Sequence, residues 1–207
     1  DDVESRGLGD VYKRQIMKEV TLEQLKSMAQ HDYYAIWNKA KGLNRDVKIY
    51  VHWTAGRYNQ LFDDYHINIT GDGRVYITND LTETKNATFM RNTGSIAIGL
   101  CCALDAQNSD DLGDYPPTDA QMNAVAQVVC VLADALDLTI DRERVMTHAE
   151  AAKNLDDMHT HSDYGPGSGD PETKWDLLVV REGDDEWSGG NIIRGNANWW
   201  RGQRLLR

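Results

Sequence analysis

The sequence predicts an α/β fold, a single domain in which a mixed central β-sheet is flanked by helices. Three observations predict it: two long segments with helical periodicity, several short β-rich runs between and after them, and one continuous apolar run of strand length. A chain of 207 residues, 41% of them hydrophobic, is long enough for one such domain with a substantial core.

The two predicted helices each begin at a capping box. Thr21 is followed three residues later by Gln24, and Thr118 by Gln121. In this pattern the threonine and glutamine side chains satisfy free backbone amides of the first turn. Apolar residues recur at helical spacing after both boxes. We therefore expect one helix from Thr21 and a second, amphipathic or buried helix from Thr118.

The β-rich runs predict five strands. The first is VKIYVHWT at 47–54, and a hairpin follows at 65–70 and 74–78, joined by a Gly-Asp-Gly turn. The run SIAIGLCCAL at 95–104 is continuously apolar, which is typical of a strand covered on both faces, so we expect it at the centre of the sheet. A short strand is expected at 145–148.

The ends of the chain differ from its middle. Residues 1–16 are polar and aperiodic and predict a non-native or disordered leader, so the domain is expected at 17–181. Pro171 suits the first turn of a further helix. Residues 182–207 are Gly-rich and aperiodic, and predict a tail or a truncated linker.

Composition and charge exclude several function classes. A net charge of -11, with 22 basic against 33 acidic residues, argues against a nucleic-acid partner. No apolar stretch approaches the roughly 20 residues of a membrane helix, and the N-terminus lacks the apolar core of a secretion signal. We expect a monomer made in the cytoplasm, without membrane insertion. The three cysteines, Cys101, Cys102 and Cys130, lie in apolar runs and predict buried thiols.

Two histidines stand where predicted strands end. His52 lies where a strand passes into a Thr-Ala-Gly turn, and His148 follows the short strand. Each alone is more typical of a structural histidine, and they can meet only through the fold. Glu150, two residues after His148, is either a carboxylate that supports the site or a solvated loop charge. His66 is interpreted as structural.

A catalytic zinc ion takes three protein ligands and leaves a fourth position for water. A third ligand is therefore required besides the two histidines. The loop after His148 offers six candidates, and spacing alone does not choose among them: Asp156, Asp157, His159, His161, Asp163 and Asp170.

Six motifs occur in order between about residues 45 and 180: VHWTAG, DYHINITGDGRVY, NTGSIAIGL, TDAQM, THAE and GDPETKWDL. In these motifs the chain resembles the zinc amidases that split the N-acetylmuramoyl-L-alanine bond, which include phage lysozyme-like amidases, bacterial recycling amidases and peptidoglycan recognition proteins. The resemblance implies a mixed sheet flanked by helices, with Zn²⁺ in a groove at one sheet edge and peptidoglycan as the partner.

The resemblance also implies roles for individual residues. His52, His148 and Asp170 would be the zinc ligands, Asp170 because family members place Asp or Cys just before a proline. Tyr65 would position or polarise the attacking water.

Two positions depart from the family pattern. Ser168 stands two residues before Asp170, where many members carry a lysine that stabilises the oxyanion, and Ala87 stands where several relatives have a histidine. Each loss removes a group worth roughly 10²-fold in rate.

The resulting hypothesis is a zinc-dependent amidase that acts on the cell wall after release, as an endolysin or a wall-remodelling enzyme. The departures at Ser168 and Ala87 keep open an alternative, a catalytically weakened peptidoglycan-binding module. A third hypothesis is a zinc peptidase that cuts within the stem peptide.

Overall fold

The computed structural model describes residues 17–78 and 80–205, and the predicted leader at 1–16 lies outside this part of the chain. It contains a mixed β-sheet flanked by helices, which confirms the predicted fold class. The strands are β1 Lys18–Glu19, β2 Lys48–Trp53, β3 Ile67–Ile69, β4 Val75–Ile77, β5 Ser95–Leu100 and β6 Val145–Thr147. The helices are α1 Leu22–Gly42, α2 Asp119–Ala135, α3 His148–Ala152 and α4 Ser188–Leu205.

The sheet has the strand order β1-β4-β3-β5-β2-β6. Strands β1, β4 and β3 pair antiparallel, so the predicted hairpin is confirmed as β3 and β4. Strands β3, β5, β2 and β6 pair parallel. Every residue of β2 and β5 is buried, as expected for strands covered on both faces. The two fully buried strands β5 and β2 therefore lie in the interior of the sheet, and β6 forms one edge.

Both predicted capping boxes are formed. Thr21 with Gln24 begins α1, and Thr118 with Gln121 begins α2. Helix α2 is buried along most of its length and contacts α1, α4 and β3. In the described residues, no helix has the length and apolar character needed to cross a membrane.

The segment predicted to be a tail contains helix α4 instead. Ile193 and Ala197 are buried, and Trp200 packs partly against the same core, so that apolar side chains recur along one face. The sequence concealed this helix because glycines and polar residues dilute the apolar pattern and lower the helix propensity. Packing against α2 supplies the stability that propensity lacks.

The three cysteines are buried and free, as predicted. His66 is also buried: its Nδ1 accepts from the Ala97 amide at 3.0 Å, and its Nε2 donates to the Glu83 carbonyl at 2.8 Å. Burial lowers the pKa of His66 to about 4, so the ring is neutral and structural at neutral pH.

Candidate metal centre

The two histidines singled out from the sequence meet at one edge of the sheet. Strands β2 and β6 are parallel, and Val51 pairs with Thr147. The residues that follow Val51 and Thr147 therefore lie side by side at the same end of the sheet. His52 is the next residue of β2, and His148 is the first residue of α3. Their Nδ1 atoms lie 3.0 Å apart.

A carboxylate completes the cluster, and it belongs to Asp176. Its Oδ2 lies 3.4 Å from His148 Nδ1 and 3.6 Å from His52 Nδ1. His52, His148 and Asp176 are 0%, 7% and 8% exposed. Two imidazoles and a carboxylate thus share one buried point, each with a ligand atom within 4.8 Å of the others.

The spacing of these atoms suits a metal ion. Ligands about 2.0–2.1 Å from a tetrahedral zinc lie roughly 3.4 Å apart. The three observed separations of 3.0, 3.4 and 3.6 Å bracket that value. Two histidines and one carboxylate also match the ligand types of catalytic zinc sites. The residues present therefore fit a zinc ion.

The protonation states favour metal binding as well. Burial, together with the charge of His148, lowers the pKa of His52 to about 4. Burial alone would raise the pKa of Asp176, but the charge and hydrogen bond of His148, with smaller contributions from His52, outweigh it and hold that pKa below its ordinary value. At neutral pH, His52 is therefore a neutral imidazole and Asp176 a carboxylate, the forms that bind metals.

Asp170, the third ligand implied by the resemblance, lies elsewhere. It is exposed in a turn, where its Oδ1 accepts from the Glu172 amide at 2.8 Å and its own amide donates to Ser168 Oγ at 3.2 Å. The stretch from Pro171 forms turns rather than the predicted helix. The structure therefore places Asp176, and not Asp170, beside the two histidines.

Packing explains why Asp176 reaches the histidines. The ring of Trp175 stands edge-on to Trp53 at 4.5 Å, and the four residues that follow Asp176 are buried. Burial of these apolar side chains holds residues 175–180 against the sheet, whereas Asp170 lies in the exposed turn next to Pro171.

The other loop candidates have different partners. Asp156 pairs with Arg91 at 2.8 Å, and Asp163 pairs with Lys153 at 2.6 Å. His161 contacts Arg91 and the Ser162 carbonyl, and its ring also lies near Phe89 and Tyr164. Asp157 and His159 lie at the surface. None of these five residues joins the cluster in the described part of the chain.

Tyr65 lies beside the cluster. Its ring centroid is 5.2 Å from that of His52, and its hydroxyl donates to the Trp53 carbonyl at 3.4 Å. A Cβ at Gly99 would come within 2.7 Å of the Tyr65 ring, so the glycine makes this position possible. Burial raises the pKa of Tyr65, which keeps the phenol protonated and able to donate.

Glu150 is a buried carboxylate, not a solvated loop charge. It completes a capping box with Thr147: the Thr147 amide donates to Glu150 Oε2 at 2.9 Å. Both carboxylate oxygens also accept from the Arg194 guanidinium at 2.8 Å. Glu150 therefore fixes the start of α3, the helix that carries His148, and links it to α4.

The cluster opens onto a cleft of about 370 Å³. Tyr65, Ala87, His148, Lys174 and Asp176 are among its lining residues. Ser168 is exposed and is not one of the residues that line this cleft.

Moving the third ligand to Asp176 changes one departure from the family pattern. The residue two positions before Asp176 is Lys174, which lines the cleft. In the described residues, the Lys174 ammonium has no salt-bridge partner. Counted from Asp176, Lys174 therefore stands at the spacing that the family pattern gives its lysine, and the departure at Ala87 remains.

A mixed α/β domain that brings two imidazoles and a carboxylate together in an open cleft has the layout of a metallohydrolase. The family model described as N-acetylmuramoyl-L-alanine amidase matches residues 20–168, well over half of the chain. The chain therefore belongs to the N-acetylmuramoyl-L-alanine amidase family, which confirms the resemblance and the prediction of an amidase. The match includes His52, Tyr65 and His148 and ends before Asp176.

Among solved structures, the chain is similar to the endolysin N-acetylmuramoyl-L-alanine amidase LysCS from Clostridium intestinale URNW. The identity is 15%, the TM-score is 0.40, and the similarity covers 56% of this chain and 73% of that one. No match was found among curated proteins.

Proposed function

We propose that this chain is a zinc-dependent hydrolase of the amide bond between N-acetylmuramic acid and L-alanine in peptidoglycan, acting as an endolysin or a wall-remodelling enzyme. The observation that carries the proposal is the convergence of His52, His148 and Asp176, at separations suited to zinc, in an open cleft. Family membership supplies the bond that is cut.

The residues divide the chemistry among themselves. His52, His148 and Asp176 would hold the ion, and a zinc ion bound there would lower the pKa of a water molecule to about 7 and polarise the scissile carbonyl. The protonated Tyr65 phenol, beside His52, would orient the water or the carbonyl by exchanging its long hydrogen bond to the Trp53 carbonyl for one to that group. Lys174 contributes positive charge where the tetrahedral oxyanion forms.

The activity is tested by incubating the purified protein with peptidoglycan, with and without a chelator. We expect release of new L-alanine amino termini, loss of that release with the chelator, and its return on addition of Zn²⁺. Binding without release would support the weakened binding module instead. Mass spectrometry of the products distinguishes the peptidase from the amidase, because a cut within the stem peptide leaves L-alanine attached to the sugar.

Lys174→Met is expected to lower kcat by about 10²–10³-fold, because it removes the cation that stabilises the oxyanion. Zinc content should not change, since Lys174 is not one of the clustered ligands. The matched control is Ser168→Ala, which alters the exposed residue two positions before Asp170. A larger loss of kcat in Ser168→Ala than in Lys174→Met would contradict the assignment.

A further inference from the structure

The second nitrogen of His52 has its own buried partner. While Nδ1 faces His148 and Asp176, Nε2 lies 3.0 Å from the hydroxyl oxygen of Thr88. Thr88 is 2% exposed and His52 is fully buried. In the described residues, Thr88 is the hydrogen-bond partner of Nε2.

A neutral imidazole carries its proton on one nitrogen and a lone pair on the other. Only the nitrogen with the lone pair can bind a metal. The hydrogen-bond partner of the other nitrogen therefore determines which ring nitrogen is available to the metal. Resting on the zinc-amidase function proposed above, we propose that Thr88 is a positioning residue whose hydroxyl accepts the Nε2 proton of His52 and so keeps Nδ1 free to bind the metal.

The Thr88 hydroxyl is held in place by its own turn. Asn92 Oδ1 accepts from the amides of Ala87 at 3.1 Å and Thr88 at 2.7 Å. The Thr88 carbonyl in turn accepts from the Arg91 amide at 3.0 Å. These bonds fix the backbone on both sides of Thr88, so its hydroxyl is positioned before any metal binds.

Arg91 then ties this turn to the segment that follows α3. Its fully buried guanidinium donates to both oxygens of Asp156 at 2.8 Å and to Asn154 Oδ1 at 3.0 Å. The turn that holds the His52 ring and the helix that carries His148 are therefore connected through one network. Such support keeps two ligands in register.

Thr88→Val tests the hydroxyl without emptying the space, because valine has nearly the same shape. It leaves the Nε2 proton buried without an acceptor, which favours the tautomer with the proton on Nδ1. We expect the zinc affinity, measured by competition with a chromophoric chelator, to fall by about 10–100-fold. Thr88→Ser retains the hydroxyl and should retain the affinity of the wild type.

The tautomer of His52 is the readout that a purely structural role would not move. Nitrogen-15 NMR of the metal-free protein at neutral pH should show the proton on Nε2 in the wild type and Thr88→Ser, and on Nδ1 in Thr88→Val. A proton on Nδ1 in the wild type would overturn the proposal, and so would unchanged zinc affinity in Thr88→Val. If Thr88→Val does not fold, the wild-type tautomer decides.

These measurements do not depend on peptidoglycan cleavage. If the tautomer and the zinc affinity respond as expected but no L-alanine termini are released, the proposed function fails while the role of Thr88 stands. If termini are released and the tautomer is the opposite one, the function stands and the role of Thr88 fails.

Discussion

Asp176→Asn is expected to abolish amidase activity, with a fall in kcat/KM of at least about 10³-fold. Among the described residues, Asp176 is the only carboxylate in the cluster, and the substitution removes it. Asparagine has the same shape but lacks the negative charge that faces the two imidazoles. We expect zinc affinity to fall by more than the roughly 10–100-fold that is typical of changes outside the ligand set. Metal analysis of the purified variant, beside its rate on peptidoglycan, checks both expectations.

Asp170→Asn is the matched control for this substitution. Asp170 is exposed, and an asparagine oxygen can still accept the Glu172 amide within its turn. Zinc content and activity should therefore equal those of the wild type. Loss of zinc in Asp170→Asn with full occupancy in Asp176→Asn would restore the ligand set implied by the resemblance and remove Asp176 from the site.

The difference between these two aspartates shows where the sequence stopped being informative. His52 and His148 could be singled out because each stands where a predicted strand ends, and the family resemblance paired them. The structure then brings them together through the parallel pairing of β2 and β6. Nothing in the spacing selects a ligand from an irregular segment, whose path depends on contacts such as Trp175 against Trp53. One indication was available: Asp176 stands between Trp175 and Leu177, and an acidic residue inside an apolar run is rarely buried without a partner.

The same limit applies to the fold. Helices α1 and α2 and the main strands could be predicted, because capping boxes and apolar runs are local patterns. Helix α3 was missed because it has five residues, although Thr147 and Glu150 form a visible capping box. Helix α4 was missed because its stability comes from packing, which glycine-rich sequence does not reveal.

The ion pair between Arg194 and Glu150 connects helix α4 to α3, the helix that begins with His148. Arg194 donates to both Glu150 oxygens and to the Val145 carbonyl at 2.9 Å, and both side chains of the pair are buried. A Cβ at Gly190 would approach the Glu150 carboxylate to 2.5 Å, so this glycine lets α4 pack closely against the pair. The helix interpreted from sequence as a tail thus supports the residue that caps α3.

Arg194→Ala is expected to lower the free energy of unfolding by about 3–5 kcal/mol, because it leaves the Glu150 carboxylate buried without its partner. Zinc affinity should fall too, since Glu150 fixes the first turn of the helix that begins with His148. Urea unfolding of the metal-free protein measures the first effect. The control on the same helix is Arg201→Ala, whose partner Asp134 is partly exposed, and which should cost no more than about 1 kcal/mol. If the free energy of unfolding fell equally in the two variants, α4 would be held by general packing, and the Arg194–Glu150 ion pair would contribute no more than an exposed one.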